Sequence, residues 1–125
     1  MPKVIFKTSQ GDIEVEFLEN ETAKEIVRHL PIESKVKTWG DEIYFDTGIA
    51  APSKGGTLDV NIGDIAYWPE GKCLCIFFGP TAASTASSGN KPVPASEVVI
   101  VGKTSAKPEL LRKITAGTKI IVQMK

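Results

Sequence analysis

The sequence predicts a mostly-β single domain, in which about eight short strands form an antiparallel sheet that closes into a barrel capped by two helices. Residues 1–125 fit one domain, because a typical domain takes roughly 100–200 residues. Short apolar or alternating segments dominate the chain, and turns join most of them, which favours antiparallel pairing and a barrel. Helical periodicity occurs in only two places, one near each end of the chain.

The first predicted strands form a hairpin. Residues 4–8 read as a strand, a turn cluster follows at 9–12, and residues 13–17 alternate between apolar and charged side chains. This alternation is typical of a strand with one face in the core and the other in solvent. We therefore expect two antiparallel strands that are joined at residues 9–12.

A helix is predicted after the hairpin, because the period of the apolar residues changes after Asn20. One helical face carries Ala23, Ile26, Val27 and Leu30. Thr22 and Glu25 have the spacing of a capping box, and Pro31 ends the helix. His29, the single histidine, lies at the helix end, where it complements the helix dipole, so we favour a structural role for it over a catalytic one.

The rest of the chain alternates strands with turns. Strands are predicted at 36–39, 43–45, 58–60, 65–68 and 73–78. Residues 80–97 are small, polar and rich in proline, so we expect a long surface loop there. The last predicted elements are a strand at 98–101, a helix from about Pro108 with proline in its first turn, and a closing strand at 119–124.

Charge and hydropathy argue against several classes of partner. Lys and Arg number 15, as do Asp and Glu, and this formal balance argues against bulk electrostatic capture of nucleic acid or of an anionic membrane. The longest apolar run, 73–78, is far shorter than the roughly 20 residues that span a bilayer. The first residues have no signal-peptide core. We therefore expect a cytoplasmic protein without a nucleic-acid or membrane partner.

Candidate nucleophiles and metal ligands are few. Cys73 and Cys75 lie two positions apart in an apolar stretch, where reduced thiols pack as small hydrophobic side chains. A zinc site needs about four ligands, and His29 is the only other good soft ligand. The glycines form no phosphate-binding motif. We predict no metal site and no cofactor.

The aromatic residues are the strongest candidates for a binding site. Four amphipathic rings lie near predicted turns, those of Trp39, Tyr44, Tyr67 and Trp68. Phe77 and Phe78 are adjacent, so on a strand one faces the core and the other faces the opposite surface. The rings suit a shallow groove for an extended peptide or a flat small molecule. The alternative is that they plug the barrel and cover its mouth.

Motifs at both ends of the chain resemble the cyclophilin family. Residues 8–17, followed by residues 22–30, resemble the opening hairpin and helix of cyclophilins, and residues 98–103 resemble a later cyclophilin strand. A closer resemblance is to small, largely uncharacterised prokaryotic cyclophilin-like proteins. It rests on TWGDEIYF at 38–45, GD at 63–64, YWP at 67–69, FFG at 77–79, PAS at 94–96 and VGK at 101–103. The resemblance implies a cyclophilin-like closed barrel with two helices.

The residues that the resemblance would assign to isomerase chemistry are not found. The arginine with which cyclophilins hydrogen-bond the prolyl amide has no counterpart in residues 34–45, where Lys35 and Lys37 lack the planar fork of a guanidinium. Residues 70–77 lack the family's asparagine and glutamine, and residues 80–97 replace the loop with its proline-pocket tryptophan and histidine. The resemblance therefore implies the scaffold without the isomerase site.

Three functions follow as hypotheses. We favour a domain with little or no isomerase activity that binds a peptide or a small molecule. Its predicted groove walls are Trp39, Tyr44, Tyr67, Trp68 and Phe78, and its hydrogen-bonding groups are Thr38 and Ser96. One alternative is a peptidyl-prolyl isomerase with a non-standard site, in which Lys37 is a weak candidate for the catalytic cation. The other is a structural or self-association module, and the sequence indicates no oligomeric state.

Overall fold

The computed structural model describes residues 1–125 as nine strands and two helices, with one short 3-10 turn at Ala86–Ser88. The elements in chain order are β1 (Lys3–Thr8), β2 (Gly11–Phe17), α1 (Glu21–Arg28), β3 (Ile32–Lys35), β4 (Lys37–Thr38), β5 (Glu42–Asp46), β6 (Asp64–Trp68), β7 (Cys73–Phe77), β8 (Val99–Lys103), α2 (Pro108–Arg112) and β9 (Lys119–Met124). Neither helix is long and apolar enough to cross a membrane.

The sheet is antiparallel throughout and nearly closes on itself. Its strand order is β3-β9-β1-β2-β8-β6-β7-β5-β4. The two outermost strands, β3 and β4, are successive in the chain and are separated only by Val36, so the sheet curls into a barrel. The backbone N–H of Val36 donates to Thr118 at 2.8 Å, and its carbonyl accepts from Gly117 at 2.8 Å. The predicted barrel is confirmed, and it has nine strands where about eight were expected. Residues 32–35 form a strand against β9 that the sequence analysis did not predict.

The main hydrophobic core fills the barrel. It is a cluster of 23 buried residues, to which the strands contribute every second side chain. The rings of Phe6 and Phe45 meet edge to face there, with centroids 5.7 Å apart. Helix α1 contributes Ala23 and Ile26, and α2 contributes Leu111. Each large side chain buried in this way stabilises the fold by roughly 1.5–3 kcal/mol, so the barrel interior supplies most of the stability.

A second, smaller core lies on the outer face of strands β5 to β8. Its buried members are Val60, Ala66, Cys73, Cys75, Phe77 and Val98. The register pairs Cys75 with Tyr44 on one side and with Ala66 on the other, so these three side chains share one face of the sheet. This part of the sheet is therefore covered on both faces, which explains why every residue of β7 is buried.

Two local predictions are wrong, each for an identifiable reason. Thr22 does not cap α1, because the side chain of Asn20 accepts from the N–H of Ala23 at 2.8 Å and takes the N-cap position. The Thr22 hydroxyl donates instead to the carbonyl of Pro52. Residues 58–60 are not a strand, because the chain pairs with the end of β8 at residue 57 alone and then leaves the sheet. Only an isolated bridge forms there, between residues 57 and 98.

Candidate functional site

A cavity of about 240 Å³ opens on the outer face of the sheet, between strands β5 to β7 and the end of the 80–97 loop. We call it the aromatic pocket. Seven of its nine lining residues are hydrophobic, and the full set is Trp39, Glu42, Tyr44, Trp68, Cys75, Phe77, Pro94, Ala95 and Val98. Strand alternation and register build this lining, because β5 pairs Tyr44 with Cys75 and Glu42 with Phe77.

Three partly exposed rings form the walls of the pocket. Those of Tyr44 and Trp68 meet edge to face, with centroids 6.5 Å apart and an angle of 87° between their planes. Nε1 of Trp68 donates to Oγ of Ser96 at 2.7 Å, so a residue at the end of the loop fixes the indole. The N–H of Trp39 donates to the carbonyl of Glu42 at 2.9 Å and closes the turn from β4 to β5. These contacts hold the three rings around one space.

Glycine at position 71 lets the β6–β7 turn pack on the indole. A Cβ there would lie 2.6 Å from the ring of Trp68, which is closer than real Cβ contacts come. A larger residue at Gly71 would therefore push Trp68 out of its position, so the turn and the pocket wall depend on each other.

The carboxyl of Glu42 is the polar group of the pocket. The residue is only 7% exposed, and its Oε1 has no hydrogen-bond partner in the protein. Burial raises the pKa of this carboxyl to about 7, although a hydrogen bond with the thiol of Cys75 acts in the opposite direction. The group is therefore poised to gain or lose a proton near neutral pH, and it can accept a hydrogen bond from a ligand.

The two thiols beside this carboxyl are not activated nucleophiles. Both cysteines are free and buried. Burial raises the pKa of the Cys73 thiol, and burial together with Glu42 raises that of Cys75 well above its ordinary value. The thiolate is the reactive form of cysteine, so both residues act here as packing groups. The structure contains no group of three or more His, Cys, Asp or Glu side chains that could hold a metal ion.

Four of the predicted site residues meet at the pocket, and Tyr67 does not. Trp39, Tyr44 and Trp68 line it, and Ser96 holds Trp68. Tyr67 points into the barrel, where it is 1% exposed. Its hydroxyl donates to the carbonyl of residue 49 at 2.5 Å and accepts from the N–H of residue 51 at 3.1 Å. Neighbouring residues on a strand face opposite ways, so Tyr67 plugs the barrel while Trp68 lines the pocket.

Phe78 and Thr38 lie at a different place, in a cleft against α2. Phe78 belongs to the barrel core, and the guanidinium of Arg112 lies 5.9 Å from the centroid of its ring. Arg112 also forms an ion pair with Asp41 at 3.0 Å, so the charged groups of this cleft neutralise each other. Lys37, the candidate cation, is exposed on β4 opposite Tyr44 and does not line the aromatic pocket.

The sequence reasoning missed six lining residues, namely Glu42, Cys75, Phe77, Pro94, Ala95 and Val98. A signal existed for two of them. Glu42 comes directly before the predicted strand 43–45 and two positions before Tyr44, so an extended chain places both side chains on one face. Phe77 stands two positions after Cys75, so these two side chains share one face of the strand, and Phe78 does not lie on that face. Nothing local indicates that residues 94 and 95 return to the sheet, because that depends on the path of the whole 80–97 loop.

Comparison with known proteins agrees with this architecture. The model of the family described as Cyclophilin-like matches residues 2–123. A hypothetical protein from Archaeoglobus fulgidus, known from its solution structure, is 34% identical, with a TM-score of 0.83 over 99% of this chain and 95% of that chain.

A more distant likeness is to McbB, whose structure holds tryptophan. That protein is 13% identical, with a TM-score of 0.66 over 98% of this chain and 44% of that one, so it shares the fold alone. No curated protein matches the sequence. The family match over nearly the whole chain, together with the archaeal relative, shows that this chain belongs to the cyclophilin-like family.

Proposed function

We propose that this domain binds a small organic molecule, or one side chain of a peptide, in the aromatic pocket. The observation that carries the proposal is the pocket itself, a concave and mainly hydrophobic space in which three rings remain partly exposed. Ligand sites typically combine such apolar walls with one or a few polar groups, here the carboxyl of Glu42. The volume of about 240 Å³ favours a ligand below drug size, because drug-sized molecules take pockets of roughly 300–1,000 Å³.

The contacts behind the walls also favour a preformed site. Trp68 is held by Ser96 and by its edge-to-face contact with Tyr44, so it loses little freedom when a ligand arrives. A binding site that is already ordered avoids much of the entropic cost of association.

We expect little or no prolyl isomerase activity. The arginines of the chain are Arg28 and Arg112, and neither lines the aromatic pocket. Lys37 does not line it either. Glu42 does line the pocket, but its carboxyl carries no positive charge and cannot take the part of the family's guanidinium. The pocket therefore has apolar walls that suit binding, without a fixed cationic donor.

Intrinsic fluorescence tests the proposal directly, because the chain has two tryptophans and both line the pocket. A panel of small aromatic and aliphatic compounds, with tryptophan among them, would be titrated into the protein. At least one compound should give a saturable change that is lost in Trp68→Ala and kept in Arg112→Ala, which alters the other cleft. Ala95→Leu, which narrows the pocket without removing a ring, should weaken the same compound. A panel without any saturable response would overturn the proposal.

A separate measurement tests the isomerase alternative. Two-dimensional exchange NMR would be recorded on an Ala-Pro peptide, with and without stoichiometric protein. We expect no added exchange cross-peaks. Cross-peaks that appear with the protein and weaken in Lys37→Ala would establish an isomerase with a non-standard site, in place of a domain that only binds.

A further inference from the structure

Glu42 is nearly buried, and one of its two carboxyl oxygens has no hydrogen-bond partner in the protein. It is 7% exposed, and its Oε1 makes no hydrogen bond within the chain. Buried polar atoms in native proteins almost always have a partner, so an orphaned one that lines a cavity indicates a ligand that supplies the donor. None of the ion pairs of the protein includes Glu42, so no internal cation neutralises it.

The walls of the pocket favour a positive charge as well. The faces of tryptophan and tyrosine rings attract cations through their quadrupoles, and the attraction grows where water is excluded. Trp39, Tyr44 and Trp68 line the same space as the carboxyl. A neutral apolar ligand would use the rings but leave Oε1 unsatisfied, and an anion would be repelled by the carboxylate. A cation with an N–H donor would use both.

We propose that the ligand of the aromatic pocket is a protonated primary or secondary amine on an apolar body, whose N–H donates to Oε1 of Glu42 while the three rings pack around it. This inference rests on the proposed function, because it names the ligand class of the same pocket. The same chemistry is presented by a free small amine and by the lysine side chain of a polypeptide.

Other titratable groups share this face of the sheet and bear on the charge of Glu42. They are Cys73 and Cys75 on β7, Asp46 on β5, Lys37 on β4 and Asp64 on β6. Both thiols stay protonated near neutral pH, because burial raises their pKa values. The charges of Lys37 and Asp46 shift the pKa of Cys73. The carboxylate of Asp64 accepts a hydrogen bond from the N–H of residue 61 at 2.8 Å. Glu42 is thus the carboxyl that can meet an amine in the pocket.

The affinity for an amine should rise with pH through the neutral range. The pKa of Glu42 is about 7 without a ligand, so most of the carboxyl is protonated at pH 6 and ionised at pH 8. An ammonium ion requires the ionised form, so its affinity should increase about tenfold between those values, for an amine that stays protonated in both. A neutral ligand should show no such change.

A matched pair of compounds tests the amine directly. 2-Phenylethylamine and 2-phenylethanol share one apolar body, and only the first is cationic. At pH 8 we expect tryptophan fluorescence to give at least about tenfold tighter binding for the amine. Glu42→Gln should abolish that preference, while Glu33→Gln, an exposed strand position, should retain it. The pH dependence of the wild-type protein provides the same test if Glu42→Gln fails to fold.

A second comparison distinguishes a free small amine from the lysine side chain of a polypeptide. Nα-acetyl-lysine methylamide would be compared with its Nε-acetylated form, which lacks the charge. Binding of the lysine derivative without binding of 2-phenylethylamine would assign the pocket to a polypeptide side chain, and the reverse would assign it to a free amine. Equal affinity of charged and neutral partners in both pairs would overturn the amine inference and leave the proposed function standing. Binding by neither pair, while other small compounds bind, would also overturn it.

Discussion

Glu42 differs from the other carboxyl groups of the chain in its surroundings. Glu14 and Glu33 are exposed and form ion pairs with Lys125 and Lys119, respectively. The Lys125 ammonium lowers the pKa of Glu14, whereas burial raises that of Glu42. Exposed pairs of this kind contribute little to stability. Ionisation of a nearly buried carboxyl with an unpaired oxygen, by contrast, costs free energy, and a bound cation can offset that cost.

That cost predicts a pH-dependent stability. The pKa of Glu42 is about 7 in the folded protein against an ordinary value of 4.5, so the folded state holds its proton longer than the unfolded state. The free energy of unfolding should therefore fall as the pH rises from about 4.5 to 7, by on the order of 3 kcal/mol from this residue. Glu42→Gln should remove that fall, as measured by urea unfolding at pH 5 and pH 8. Parallel pH profiles for the two proteins would contradict this assignment.

Tyr67 was predicted to line the groove, but the structure places its ring inside the barrel. Tyr67→Phe removes a hydroxyl that bonds the backbone at residues 49 and 51, and it should destabilise the fold by about 1–3 kcal/mol. Ligand affinity should be unchanged, because the ring does not line the pocket. The two results come from thermal unfolding and from the fluorescence titration. If Tyr67→Phe is as stable as the wild-type protein but no longer binds the ligand, Tyr67 is part of the binding site.

At the scale of elements, the end of the 80–97 loop and strand β6 form the pocket together. Nε1 of Trp68 donates to Ser96 across a separation of 28 residues. Thr81 and Val93 anchor the two arms of the loop to each other through the threonine hydroxyl. The loop is therefore part of the site, although its composition is that of a flexible connection.

Ser96→Ala tests this link between the loop and the strand. It removes the acceptor of the Trp68 indole, and a lost hydrogen bond of about 0.5–1.5 kcal/mol should weaken ligand binding roughly two- to tenfold. The indole N–H signal of Trp68 should shift in a ¹H–¹⁵N correlation spectrum, while that of Trp39 should stay in place. Ser53→Ala, in an exposed loop, serves as the control. Unchanged affinity in Ser96→Ala would show that the loop does not hold the wall.

Most elements could be predicted because their signals are local. Alternation at 13–17 and the apolar run at 73–78 correspond to β2 and β7, and the helical spacing after Asn20 corresponds to α1. The cap of that helix could not be chosen reliably, because Asn20 and Thr22 are both good capping residues two positions apart. Residues 58–60 have a strand-like pattern, but a strand also requires a partner edge, which is a property of the assembled sheet.

At the scale of the whole molecule, the outer core determines where the site lies. The barrel interior is filled by its own side chains, and the aromatic pocket lies on the outer face of the sheet beside the end of the 80–97 loop. Trp39, Tyr44 and Trp68 could be predicted as a group from their aromatic character and their positions near turns. The sequence could not show that Tyr67 and Phe78 lie apart from this group, because the pairing of the strands determines which face of each strand is outside the barrel.

The cyclophilin-like scaffold therefore presents two openings of different character. In the cleft against α2 the charges of Asp41 and Arg112 are paired, whereas the aromatic pocket has partly exposed rings and a carboxyl oxygen of Glu42 without a hydrogen-bond partner. On this difference rests our proposal that a ligand binds in the aromatic pocket and not in the cleft against α2.

The proposal that a ligand binds in the aromatic pocket is tested most directly by intermolecular nuclear Overhauser effects between the protein and the tightest-binding compound of the panel. The account predicts contacts from the ligand to the indole protons of Trp39 and Trp68 and to the ring of Phe77. Contacts to Thr38, Phe78 and Leu111 instead would place the ligand in the cleft against α2 and contradict the assignment of the site.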